Sequence, residues 1–280
     1  MSEWLTSEGR DRQQECASQR LVVLLGASNL TYSLPVVLRH VVHRLSGRDA
    51  TVLVAHGPGR SYGVDAGVLG VRFLGISACG LFRALEKERA RTDDVETFAL
   101  LTDIGNDILY QSGVDQTLGW IQRVTDRLLD FGAKVGITSL PVASVEDMPA
   151  WKFRTLRPLF YPFRPMPQQD VRLQVREIQA GLEEIGRTRD VRILPSRREW
   201  YGFDHFHLRK RCRREAFSFW IDQVLDAKDV PPDADVAGRL QISSTRCTFH
   251  RPAEYIWLGR RRRHDQNGLT ISPTVRYVCF

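Results

Sequence analysis

Long apolar runs are missing from this sequence. Hydrophobic residues make up 42% of its 280 residues, yet nowhere do they gather into the ~20-residue stretch a membrane-spanning helix needs. No membrane span is therefore expected. The opening stretch, MSEWLTSEGRDRQQECASQR, lacks a basic head, an apolar middle and a small-residue cleavage site, so no secretory signal is expected either. Cysteine is sparse: Cys16, Cys79, Cys212, Cys247 and Cys279 are odd in number and show no CxxC spacing. That argues against a disulfide framework and a cysteine-built zinc site, and points to a reducing, cytoplasmic location.

Several nucleotide and hydrolase signatures are also missing. No Gly-Lys-Ser/Thr occurs, which excludes a Walker phosphate loop. Gly57, Gly59 and Gly63 follow an apolar run, but the next stretch, VDAGVLGVRF, opens no helix, so a dinucleotide fingerprint lacks its phosphate-binding N-terminus. The nucleophile elbow Gly-x-Ser-x-Gly is broken at Leu30.

What is present is an ordinary globular composition with a basic bias. The formal charge is +7, with 40 Lys and Arg against 33 Asp and Glu. Such a surplus fits a solvated basic surface or a surface for an anionic partner, and no nucleic-acid module accompanies it.

Apolar, β-branched runs at 20–26, 50–56, 96–105, 133–141 and 190–196 read as buried strands. Helical patterns separate them, in LPVVLRHVVHRLSG, CGLFRALEKERARTDD, TLGWIQRVTDRLLDFG and DVRLQVREIQAGLEEIG, and LRKRCRREAFSFWIDQVLDA reads as a last helix. This alternation predicts an α/β fold with a parallel sheet covered on both faces. Functional residues in such sheets gather beyond the carboxyl ends of the strands.

Residues 1–19 read as a polar N-terminal segment, and 20–227 as the main domain. Within it, 142–169 is rich in proline, aromatics and arginine without helical or strand period, and is expected to be a lid-like insertion. Residues 228–280 read as a linker and basic extension, with short β-like runs around GRRRRHDQNG and a hairpin-type Asn267-Gly268 pair.

The run LLGASNL ends the first strand with Ser28. A serine there can cap a helix, or it can attack a carbonyl if a base takes its proton. FDHFHLR supplies Asp204 and His207 in the loop after the fifth strand. A turn of that spacing lets the carboxylate hold the imidazole Nδ1–H and leaves Nε2 for a serine. His205 competes for the part of base, and His-x-His can also bind metal, although no clustered partner ligands accompany it. HGPGRSYG and TDIGNDILY end the second and third strands. Gly59 and Asn106 there can present donors to an oxyanion, or can serve only as turn residues.

GASNL, GPGRSYG, GND and DHFH resemble, in order and at the strand ends, the four blocks of the SGNH (GDSL-type) hydrolases. The resemblance spans residues 20 to about 227. It implies a three-layer, flavodoxin-like α/β/α fold with a five-stranded parallel sheet, here followed by a C-terminal extension with short strands. It implies Ser28 as nucleophile, Asp204 and His207 completing the triad, and Ser28 N–H, Gly59 N–H and Asn106 as oxyanion hole. The first block usually reads Gly-Asp-Ser-Leu, and here Ala27 and Asn29 stand in place of the aspartate and leucine. Gly57 and Gly63 compete with Gly59 for the second block.

The expected function is hydrolysis of a small-molecule carboxylic ester, with no metal or organic cofactor. Arg60, Trp151, Phe160 and Tyr161 are expected to shape the pocket. Acyl transfer with the same triad is an alternative, as is a non-catalytic scaffold that binds an anionic partner through its basic tail.

Overall fold

The computed structural model describes residues 19–45, 48–68, 70–91, 94–160, 166–225, 252–264 and 268–280. In chain order the elements are β1 (Gln19–Leu25), α1 (Ser28–Arg44), β2 (Ala50–Ala55), β3 (Val71–Phe73), α2 (Leu81–Arg89), β4 (Val95–Leu101), α3 (Val114–Asp130) and β5 (Lys134–Thr138). There follow α4 (Val142–Glu146), α5 (Ala150–Phe160), α6 (Gln168–Arg189), β6 (Arg192–Leu194) and α7 (Arg213–Val224). The chain closes with β7 (Glu254–Trp257), β8 (Arg260–Arg263), β9 (Leu269–Ser272) and β10 (Val275–Cys279).

The main sheet runs β6-β5-β4-β1-β2-β10-β9. All its pairings are parallel except that of β9 with β10. Alternate side chains of one strand feed opposite layers, as the pleat requires. Leu21, Val23 and Leu25 of β1 join Leu85 of α2, Val124 of α3 and Ile178 of α6 in one core. Val22 and Leu24 join Leu34 and Val37 of α1 and Phe217 and Ile221 of α7 in the other. The doubly covered α/β sheet expected from the alternation is thus present.

The strand number is not the expected five. Seven strands form the sheet because the C-terminal runs pair with it: Val275 lies opposite Ala50 and Tyr277 opposite Val52. Their apolar pattern marks Val275–Cys279 as a strand, but a partner so distant in sequence leaves no local signal. The arginine run 260–263 lies in β8, which with β7 and β3 makes a separate three-stranded sheet. The β7–β8 turn uses Leu258 and Gly259, both at positive φ. Asn267 lies outside the described residues.

The stretch 142–169, expected to lack helical period, carries α4 and α5. Prolines at 149 and 158 interrupt its pattern, and tertiary contacts supply what propensity does not. Met148 and Phe153 are buried against the core, and Gln168 and Arg172 of α6 donate to the Met148 carbonyl at 2.7 and 2.9 Å.

Chain order sets the location of the cleft. From β1 the chain steps to β2 on one side and later returns to β4 on the other. This reversal leaves a crevice beyond the carboxyl ends of β1 and β4, where open α/β sheets bind ligands.

Candidate active site

Ser28 opens α1, one turn past the end of β1, and is 9% exposed. Its Oγ lies 2.8 Å from Nε2 of His207. Nδ1 of His207 lies 2.6 Å from Oδ2 of Asp204. The other oxygen of Asp204 accepts the amides of Phe206 and His207 at 3.1 and 2.9 Å, so the carboxylate is held by the turn it helps to form. With Nδ1 donating to Asp204, Nε2 is left as an acceptor for the serine hydroxyl.

Burial alone would lower the basicity of His207. The hydrogen bond and charge of Asp204, with a smaller contribution from Asp103, outweigh it and hold the imidazole above its ordinary value. Burial would likewise raise Asp204, but the bond to His207, its charge and the two amides bring that carboxyl below its usual range.

His205 goes elsewhere. It sits at φ 65° and directs Nδ1 to the Ser144 carbonyl, with Lys152 Nζ 3.3 Å from Nε2. Burial, Lys152 and Arg198 lower its pKa against the opposing pull of the Ser144 carbonyl. The two histidines do not converge on a common point. Among the described residues no three His, Cys, Asp or Glu side chains gather as a metal-binding set.

Ser28, Gly59, Asn106 and His207 line one cavity of about 640 Å³. Gly57 and Gly63, the competing glycines, do not line it: a Cβ at Gly57 would strike the Phe73 ring and one at Gly63 the Trp120 ring. Gly59 has φ +71°, and its Cβ would meet Val68 at 3.0 Å, so the position favours glycine on both counts. Asn106 Nδ2 donates to the Arg60 carbonyl at 2.7 Å. One amide hydrogen is thereby anchored to the glycine loop.

That loop is organised from beneath by Asp107, which is fully buried. Its carboxylate accepts the Ser61 hydroxyl and the Tyr62 amide, and Ser61 Oγ in turn accepts the amides of Gly63 and Val64. Burial pushes the Asp107 carboxyl up to about 6, more than these bonds pull it down.

Two residues escape the sequence reading. Asp103, at φ 61° after β4, accepts the amides of Ala27 and Leu30 at 2.7 and 3.1 Å. It thereby caps the start of α1 with a carboxylate from the turn that follows β4. Asn29 donates to Asp103 at 2.8 Å and to the Phe206 carbonyl at 3.1 Å, while its own oxygen accepts the Leu208 amide at 2.8 Å. Its side chain therefore joins the serine turn to the histidine loop.

The expected pocket residues fare differently. Arg60 turns inward, 1% exposed, and donates to the carbonyls of His56, Leu74 and Phe280, so it supports the loop and does not line the cavity. Trp151 is 57% exposed on α5 and also lies outside the lining. Phe160 is described only as the last residue of α5, and Tyr161 lies outside the described residues. The arginines expected to attract an anionic partner are partly engaged: Arg261 and Arg263 pair with the buried Glu254 at 3.1 and 3.4 Å. Among the described residues no helix is long and apolar enough to cross a membrane.

No family model matches the chain, and no curated protein matches it. Among solved structures it is similar to the psychrotrophic esterase EstA from Pseudoalteromonas sp., inhibited by monoethylphosphonate. The identity is 12% and the TM-score 0.43, over 73% of this chain and 98% of that one.

Proposed function

We propose that this chain is a serine esterase of the SGNH type, acting on a carboxylic ester through an acyl-enzyme. The observation that carries the reading is the Ser28–His207–Asp204 relay, with contacts of 2.8 and 2.6 Å at the switch point of the sheet.

His207 Nε2 takes the Ser28 hydroxyl proton as Oγ adds to the ester carbonyl carbon. The negative charge moves to the carbonyl oxygen, to which this reading assigns Asn106 Nδ2 and the amides of Ser28 and Gly59 as donors. Collapse breaks the bond to the alkoxy oxygen, which leaves as an alcohol with the proton held by His207. Water then gives a proton to the same nitrogen, attacks the acyl carbon and releases the acid. Asp204 keeps the imidazole in the tautomer this sequence requires and stabilises the imidazolium. No step calls for a metal or an organic cofactor.

The test is labelling with a fluorophosphonate, followed by mass spectrometry of the modified peptide. The adduct is expected on Ser28. Ser28→Ala should lose both labelling and turnover of p-nitrophenyl acetate while Tm stays nearly unchanged. An adduct on another residue, or wild-type turnover by the variant, would reduce Ser28 to a helix-opening residue.

A further inference from the structure

The cavity beside Ser28 has two kinds of wall. Near its mouth stand His207, Tyr32 and Val68, the last two 47% and 45% exposed. Away from the mouth, beside Thr138, Ser139, Tyr201 and Trp220, stand six aliphatic residues, Ile104, Ile108, Leu140, Val145, Val171 and Val175, each no more than 5% exposed. Well-packed interiors leave few voids of this size, so a buried aliphatic wall facing open space calls for an occupant.

The sequence of α6 accounts for the opening. Its buried stripe is Val171, Val175, Ile178, Leu182 and Ile185. The larger residues sit further along the helix, while the two valines line the cavity. Val145 of α4 faces the same space, and α4 is tied to α6 through the Arg172 bonds to the Glu146 and Met148 carbonyls at 2.6 and 2.9 Å. The wall is therefore built on anchored helices.

We infer that this aliphatic lobe binds the acyl chain of the substrate, and that the enzyme favours linear, medium-length acyl groups over acetyl. The inference rests on the esterase reading and names its substrate class. An aliphatic occupant follows because the six side chains offer no hydrogen bond, and a buried polar group without a partner is disfavoured. That it is the acyl chain follows from the placement of the reacting groups. Ile104 and Ile108 flank Asn106 on one 3₁₀ segment, Ile104–Tyr110, so the lobe adjoins the side on which the carbonyl oxygen would sit. The alkoxy group must receive its proton from His207, whose ring lies 6.3 Å from that of the half-exposed Tyr32. The alcohol therefore faces the mouth.

The experiment varies each half of the ester separately. With p-nitrophenyl esters from acetate to decanoate, kcat/KM should rise about fourfold for each buried methylene, the equivalent of ~0.8 kcal/mol, and then level off once the lobe is full. Acetate esters of linear alcohols of increasing length should show no such rise. Val175→Phe, which fills the lobe, should lower the octanoate-to-acetate ratio of kcat/KM by at least tenfold. Calorimetry on Ser28→Ala should detect decanoate binding and no binding of acetate, independently of turnover. A flat acyl series in an active enzyme, or a rise in the alcohol series alone, would overturn the lobe assignment. So would the absence of decanoate binding. Decanoate binding by a protein that hydrolyses no ester would uphold the lobe and overturn the esterase reading.

Discussion

The carboxylate of Asp103 accepts the amide of Ala27 at 2.7 Å, one residue before Ser28. The residue that follows β4 thereby fixes the turn that leaves β1, and its left-handed backbone, a conformation aspartate tolerates better than most residues, is held in place by donors from Ala27, Asn29, Leu30 and Thr102. The serine turn is positioned by the turn that ends a neighbouring strand.

Replacing Asp103 by Asn should lower kcat by on the order of 10–100-fold through displacement of the serine turn. It should also shift the acid limb of the pH–rate profile to lower pH, because Asp103 helps to raise His207. A fall in Tm with an unmoved acid limb would confine Asp103 to capping α1.

The wild-type kcat/KM should rise with pH, since the neutral imidazole is the base. The folded-state pKa of His207 is raised, so the limb is expected above the ordinary histidine value. A profile with its midpoint at or below that value would contradict the Asp204–His207 geometry.

Among the histidine-loop variants, His207→Ala should retain only the residual rate supplied by binding and oxyanion donors, and His205→Ala should keep most activity. Asp204→Asn should fall between, losing on the order of 10³–10⁴ in kcat as the imidazole loses its tautomer control. Steady-state kinetics on one ester ranks all three. A dead His205→Ala beside an active His207→Ala would reverse the assignment.

Asn106→Ala should cost on the order of 10²–10³ in kcat, with a small change in KM. An effect confined to KM would assign the residue to substrate binding.

Asp107 links the glycine loop to pH. Its folded pKa of about 6 exceeds the ordinary 3.8, so the folded state binds the extra proton between these values. The stability this contributes is full below about pH 4 and is lost as pH rises through about 6, a change on the order of 3 kcal/mol. Urea melts at several pH values should show that decline in wild type relative to Asp107→Asn, whose side chain does not ionise. Parallel stability profiles would rule the linkage out.

Much of this arrangement is legible locally. The apolar runs that form β1, β2, β4 and β5 each carry their own signal, and the Asp204–His207 contact spans only one turn of chain. Asn29 and Asp103 were missed because their bonds cross the sequence, joining positions 29 and 103, 29 and 208, and 27 and 103. Polar side chains at strand ends read as turn formers until their partners are known. Arg60 misled for the related reason that a charged residue beside a glycine loop suggests a ligand, whereas here its guanidinium is spent on main-chain carbonyls. α4 and α5 were hidden by prolines, and the pairing of β10 with β2 by the distance between them in sequence.

That last pairing has a consequence for the order of assembly. During synthesis the edge of β2 stays open until residues 275–279 have emerged, because β10 is the strand that lies against it. Until then the nascent sheet presents an unpaired parallel edge, a template for wrong partners. The Arg60 guanidinium, which holds the glycine loop beside Ser28, also waits for the Phe280 carbonyl. The far end of the described chain thus acts as a latch: a ribosome-bound intermediate can carry every residue of the proposed triad and still lack the contact that fastens its glycine loop.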